Sequence, residues 1–151
     1  MLKIIRSIAC AICQGTQKPK PSIELLSLPV SGVIAEIRAA NIGLLGLWDS
    51  TYYYTKAEDW AEVFDYIYFK FDMPKYIAER TDCDDFALLM KGLVSAFFGL
   101  NYFGVVLGSS PMGYHAWNLF KADNGLLQLE PQTGKFFPLG EKDYKPEWVL
   151  L

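Results

Sequence analysis

Between Lys91 and Lys121 the only ionisable side chains are Tyr102, Tyr114 and His115. A stretch with so little charge is largely covered, because apolar side chains are stabilised by leaving water. Gly99, Asn101, Gly104, Gly108 and the Ser109-Ser110-Pro111 cluster interrupt it. It therefore reads as a helix end, a buried strand and a turn, since a bilayer span needs about 20 unbroken apolar residues. The full chain has 151 residues and is 52% apolar, enough for one domain with a real core. A net charge of −3 gives no electrostatic footprint for nucleic acid. Three cysteines cannot form a dense disulfide framework, which points to a reducing compartment, cytoplasmic or otherwise soluble. Met1–Cys13, with Lys3 and Arg6 before a short apolar run, leaves secretion as the alternative.

Gln17-Lys-Pro-Lys-Pro21 separates an N-terminal extension, residues 1–21, from a single domain, residues 22–151. Residues 22–50 are apolar but poorly periodic, with Pro29, Gly32, Gly43 and Gly46, and short helical pieces are expected there. Thr55-Lys-Ala-Glu58 has capping-box spacing, followed by Trp60, Val63, Phe64, Ile67, Tyr68 and Phe71 on one helical stripe and Pro74 as a stop. A second helix is predicted from Asp82. Phe86, Leu89, Met90, Leu93, Val94 and Phe97 form its buried face, Lys91 points away and Gly99 ends it. Strands are predicted at Tyr102–Leu107, Tyr114–Phe120, Leu126–Glu130 and Glu147–Leu151, with Asp123-Asn124-Gly125 as a hairpin turn. Helices first and antiparallel strands afterwards is the α+β pattern.

Three residues on this scaffold suggest chemistry. Cys83 opens the second helix, where free N–H groups face it. His115, the one histidine, lies in a strand, and Glu130 ends the next strand. A nucleophile, a base and a carboxylate that orients the base are the parts of thiol-mediated acyl transfer. A four-residue turn between the strands would set His115 opposite Glu130. A two-residue Asn124-Gly125 turn would keep them on one face but too far apart to touch, and a three-residue loop ending in Gly125 would put Glu130 opposite Asn118, on the wrong face. Asp82 and Asp85 suit the helix cap. Asp84 and Asp85, with Asn118, are also a candidate oxygen set for Ca2+, although the chemistry itself needs no cofactor. Cys10 and Cys13 do not pair with Cys83 and His115 in a zinc spacing, and no glycine-rich phosphate loop occurs.

Thr81-Asp-Cys83-Asp-Asp-Phe-Ala87, His115-Ala-Trp117 and Glu130-Pro-Gln-Thr133, in that order, resemble the three signature blocks of transglutaminase-like, papain-like cysteine peptidases. The Cys-His-Glu variant is also similar to the calcium-dependent protease domain of fungal agglutinins. Two departures stand out: Thr81 replaces a glycine, and Glu130 replaces an aspartate. The resemblance implies a papain-like α+β fold and a cysteine peptidase or amidase, with Cys83 as nucleophile, His115 as base and Glu130 orienting it. Hydrolysis is the default outcome, with acyl transfer as the variant. Trp117 and Trp48 would line the substrate pocket, and a second oxyanion donor is sought within residues 48–54. Partners would be peptide, protein or peptidoglycan amides, with oligomeric state open. The rival expectation is a catalytically silent module on the same fold, binding protein or glycan through the aromatic residues of 48–71.

Overall fold

The computed structural model describes residues 18–151. Its elements in chain order are β1 (Leu26–Pro29), α1 (Val30–Ala39), β2 (Gly43–Gly46), β3 (Thr51–Tyr54), α2 (Ala57–Lys70) and α3 (Cys83–Phe98). Five strands follow: β4 (Phe103–Ser110), β5 (Gly113–Ala122), β6 (Gly125–Glu130), β7 (Lys135–Pro138) and β8 (Lys145–Leu150). β1 and β3 form a small antiparallel sheet, and the other strands form a six-stranded sheet in the order β2-β8-β4-β5-β6-β7. That sheet is mixed, because β2 runs parallel to β8 while its other pairs are antiparallel.

This corrects the expected papain-like α+β fold with N-terminal helices on an antiparallel sheet. The protein is β-rich, and three strands precede α2. The physical cause lies in residues 26–54, where helical pieces were expected. Pro29 holds Leu28 extended and admits a helix only after itself. Gly43 lets β2 lie against an indole: a Cβ there would fall 2.3 Å from the Trp148 ring. The run Tyr52-Tyr53-Tyr54 favours a pleated strand. Met1–Cys13, Cys10 and Cys13 lie outside the described residues.

Alternation along β5 divides the core. Phe120 faces α2 and α3, within a cluster of Trp60, Phe64, Met90, Val94 and Phe103. Trp117 and Leu119 face the other way, towards Val33 and Ile37 of α1 and the buried Tyr52 and Tyr102. The face of α3 also differs from the predicted stripe. Phe86, Ala87, Met90, Val94 and Phe98 are buried, whereas Leu89 is exposed. Lys91 does not point away; its Nζ donates to the Phe103 carbonyl at 2.8 Å, and burial lowers its pKa. At α2 the predicted capping box does not form. Lys56 is the cap residue, and the Thr55 hydroxyl bonds the Glu24 carbonyl and the Asp59 carboxylate. Among the described residues no helix is long and apolar enough to cross a membrane.

Candidate functional site

The site is built at the open end of the sheet, where the β4–β5 hairpin, the start of α3 and the end of β6 meet. The β5–β6 ladder closes on Ala122 opposite Gly125, leaving a two-residue turn, Asp123-Asn124. Carried forward from the Asn118–Leu129 pair, that register places Glu130 level with Trp117 and two residues along from His115. Diagonal neighbours of this kind lie about 7–8 Å apart at Cα, a gap that two side chains can bridge. The longer glutamate chain suits this offset, and its Oε2 meets His115 Nε2 at 2.7 Å.

Three donors converge on this carboxylate. Besides the imidazole, the Tyr144 hydroxyl donates to Oε2 at 3.1 Å and the Gln132 amide N–H donates to Oε1 at 3.1 Å. Both partners of the pair are buried, His115 6% and Glu130 5% exposed. With Nε2 donating to Glu130, Nδ1 is the nitrogen left for other partners. Trp117 stacks on the imidazole at 6.0 Å and 18°, and Tyr144 packs edge-on against the indole at 5.2 Å. The Trp117 Nε1–H is held by Gln128 Oε1 at 2.9 Å. Tyr144, Gln128 and Gln132 were not singled out in the sequence. Of these, Gln128 alone carries a signal, and it lies in the pleat: Gln128 and Glu130 share a face two residues apart, opposite Leu119 and Trp117.

Cys83 sits at the first position of α3, above a capping box formed by Asp82 and Asp85. Its side chain packs with Ala87, Ala116 and Val105, on the sheet face covered by α3. His115 belongs by alternation to the face of Trp117. The two side chains open onto one cleft of about 230 Å3, lined also by Tyr76, Met112, Tyr114 and Gln132. Among the described residues no hydrogen bond joins the thiol to the imidazole, so the continuous line from sulfur to carboxylate is formed only in its imidazole–carboxylate half. Trp48 is 74% exposed and does not line this cleft; its backbone N–H donates to the Tyr52 hydroxyl.

The acidic residues divide differently from the expected ligand set. Asp85 accepts the Asp82 backbone N–H. Asn118 is fully buried and spends its amide N–H groups on the carbonyls of Ala87 and Gly104. The donors that come together, within 4.8 Å of one another, are those of Asp82, Cys83 and Asp84. A side-chain hydrogen bond between the two aspartates holds the Asp82 carboxyl below the usual range and raises that of Asp84. Two carboxylates and a thiol are a poor match for Ca2+, which takes six to eight oxygens.

Burial and the Glu130 charge push the Tyr144 hydroxyl up to about 12, and burial with Glu130 raises Tyr68 as well. A phenol whose pKa is higher in the folded state stays protonated there after the unfolded chain has ionised. Its contribution to stability is complete below about pH 10 and is lost as pH climbs through the folded value. In an alkaline titration followed by tyrosinate absorbance, these tyrosines are expected to ionise after the exposed ones, together with loss of tertiary structure. Ionisation of all nine tyrosines in one step near pH 10, with the fold intact, would contradict the buried network.

No family model matches the chain, and no curated protein matches it. Solved structures do. The "PSL1a-E64 complex" aligns with a TM-score of 0.68 at 24% identity, over 83% of this chain and 51% of that one. Polyporus squamosus lectin bound to the human-type influenza-binding epitope Neu5Aca2-6Galb1-4GlcNAc aligns with a TM-score of 0.67 at 24% identity, over 83% and 50%. The chain shares its fold with part of this lectin. It spans about half the length of each structure it matches.

These matches correct the functional reading of the sequence. The neighbours are lectin structures, one of them with a sialylated glycan. They overturn the assignment to transglutaminase-like cysteine peptidases, the amide hydrolase or transferase activity, and the peptide, protein or peptidoglycan amide partners. The three sequence blocks misled for a physical reason. A helix-capping Asp-Cys-Asp-Asp run and a buried His–Glu pair are each sound structural devices, and their order along the chain does not bring sulfur and imidazole into a hydrogen bond.

Proposed function

We propose that the chain is a carbohydrate-binding module and that its ligand lies in the cleft between Tyr76 and Tyr114. The observation that carries this is the lining itself. Two exposed tyrosine rings, 57% and 65% accessible, share a shallow cleft with the Gln132 amide and the edge of His115. A sugar ring offers a C–H face to an aromatic ring and hydroxyls to amide and imidazole groups, so this mixture suits it. The lectin fold supports the reading, and the glycan in one matched structure names the first ligand to try. Titrating oligosaccharides into the protein by calorimetry is expected to show binding that falls about tenfold in Tyr114→Ala, the loss of roughly 1.4 kcal/mol of stacking. Binding that ignores this substitution, or no binding across a broad glycan panel, sinks the reading.

A second reading of the same cleft rests on its thiol. Cys83 is the free cysteine of the described residues, at a helix start beside an imidazole whose far nitrogen is fixed by Glu130. We infer a thiol that reacts with electrophiles, the role left for Cys83, His115 and Glu130. One matched structure is a complex with E64, which makes that compound a probe to set beside iodoacetamide. Alkylation of Cys83 by it, or by iodoacetamide, is expected to slow at least about tenfold in His115→Ala. Equal rates in the two proteins would leave Cys83 an ordinary thiol.

A further inference from the structure

A second pocket of about 230 Å3 lies beyond Glu130, lined by Met112, Gln132, Thr133, Lys135, Phe137, Lys142 and Tyr144 as well as Glu130 itself. It shares Met112 and Gln132 with the cleft between Tyr76 and Tyr114, so one ligand can reach both. Its charge is unusual for a chain of net charge −3. Lys135 and Lys142 enter the lining, and neither forms an ion pair among the described residues. The one carboxylate present, Glu130, already accepts from His115, Tyr144 and Gln132. Glu141 and Asp143 flank Lys142 in sequence but do not line the pocket. The backbone is left-handed at Lys142 and Asp143, φ 59° and 57°, a conformation that side-chain-bearing residues adopt at some cost. That turn holds the Lys142 ammonium 4.6 Å from the centre of the Phe137 ring, at the pocket wall.

We propose that this pocket binds the anionic substituent, carboxylate or sulfate, of a glycan whose neutral part occupies the adjoining cleft. The two lysine ammonium groups supply donors for the anion, while Phe137 and Met112 cover its apolar flank. The inference rests on the carbohydrate reading for the neutral part of the ligand, and its own claim concerns the lysine pair. The test titrates a neutral oligosaccharide and its sialylated and sulfated forms into the wild type and Lys135→Gln/Lys142→Gln. In parallel, inorganic sulfate is titrated while the backbone amides of residues 132–144 are followed by NMR. The expected result is at least tenfold tighter binding of one acidic form over the neutral one. The double variant abolishes that preference and leaves neutral binding unchanged, and whichever acidic form is preferred identifies the source of the anion. An acid preference that survives in the double variant overturns the proposal. So does an absent preference combined with no sulfate-induced shifts. If no oligosaccharide binds but sulfate shifts these amides in the wild type alone, the anion pocket stands and the carbohydrate reading falls.

Discussion

Glu130→Ala is expected to lower the stability of the protein by about 3 kcal/mol, an effect out of proportion to one side chain at a strand end. The carboxylate is buried and accepts from an imidazole, a phenol and a backbone amide. Its removal strands the buried imidazole N–H and takes the acceptor from the part-buried Tyr144 hydroxyl and Gln132 amide, and a stranded buried donor alone costs about 1 kcal/mol or more. Glu130→Gln keeps the volume but turns an NH2 group towards at least one donor, so an intermediate loss is expected. Urea unfolding of the three proteins gives the order directly. Thiol alkylation should fall in both variants, because His115 loses the partner that fixes its orientation. A loss below about 1 kcal/mol in Glu130→Ala would mean that water replaces the carboxylate freely, and that the buried pair does not organise the site.

Trp60→Ala is expected to cost more, about 4 kcal/mol. The indole is fully buried, with ring centres at 4.5 Å to Phe120, 5.3 Å to Phe64 and 5.6 Å to Phe103. Its Nε1–H donates to the Lys121 carbonyl at 2.9 Å, tying α2 to the end of β5. Alanine would leave a cavity within a cluster of rings too large to close over it, and a carbonyl without its partner. Trp60→Phe fills most of that volume and loses mainly the hydrogen bond, so its loss should be markedly smaller. Chemical denaturation separates the two. Similar losses in both would place the energy in the hydrogen bond instead of the packing.

Where the sequence has a strict period and clear punctuation, it was readable. Gly99, left-handed at φ 68°, ends α3 where expected, and Asp82 with Asp85 caps its start. The strands from Phe103 to Glu130 follow the apolar runs to within a few residues. The strands β1 to β3 were not readable, because each has four residues and neither period develops over so short a length. β7 was missed for the same reason. In the site, the partnership of His115 and Glu130 was anticipated, but not the register that makes it diagonal. Tyr144 escaped notice because it lies in the connection before β8, where no periodicity marks a side chain as inward-facing. The neighbour of Cys83 across the cleft depends on which sheet face each residue occupies. A helix start and a strand, read separately, do not disclose that.

Residues 145–150 lie between β2 and β4 in the sheet, so among the described residues it is β8 that joins residues 43–46 to the other strands. A ribosome that has delivered everything up to β7 has made a sheet with an open flank and a strand waiting with nowhere to dock. Closure then depends on a join spanning about a hundred positions of chain, the kind of distant pairing that slows folding and leaves exposed edges vulnerable in the interval. A nascent chain stalled before that point should be the species that proteases and chaperones meet.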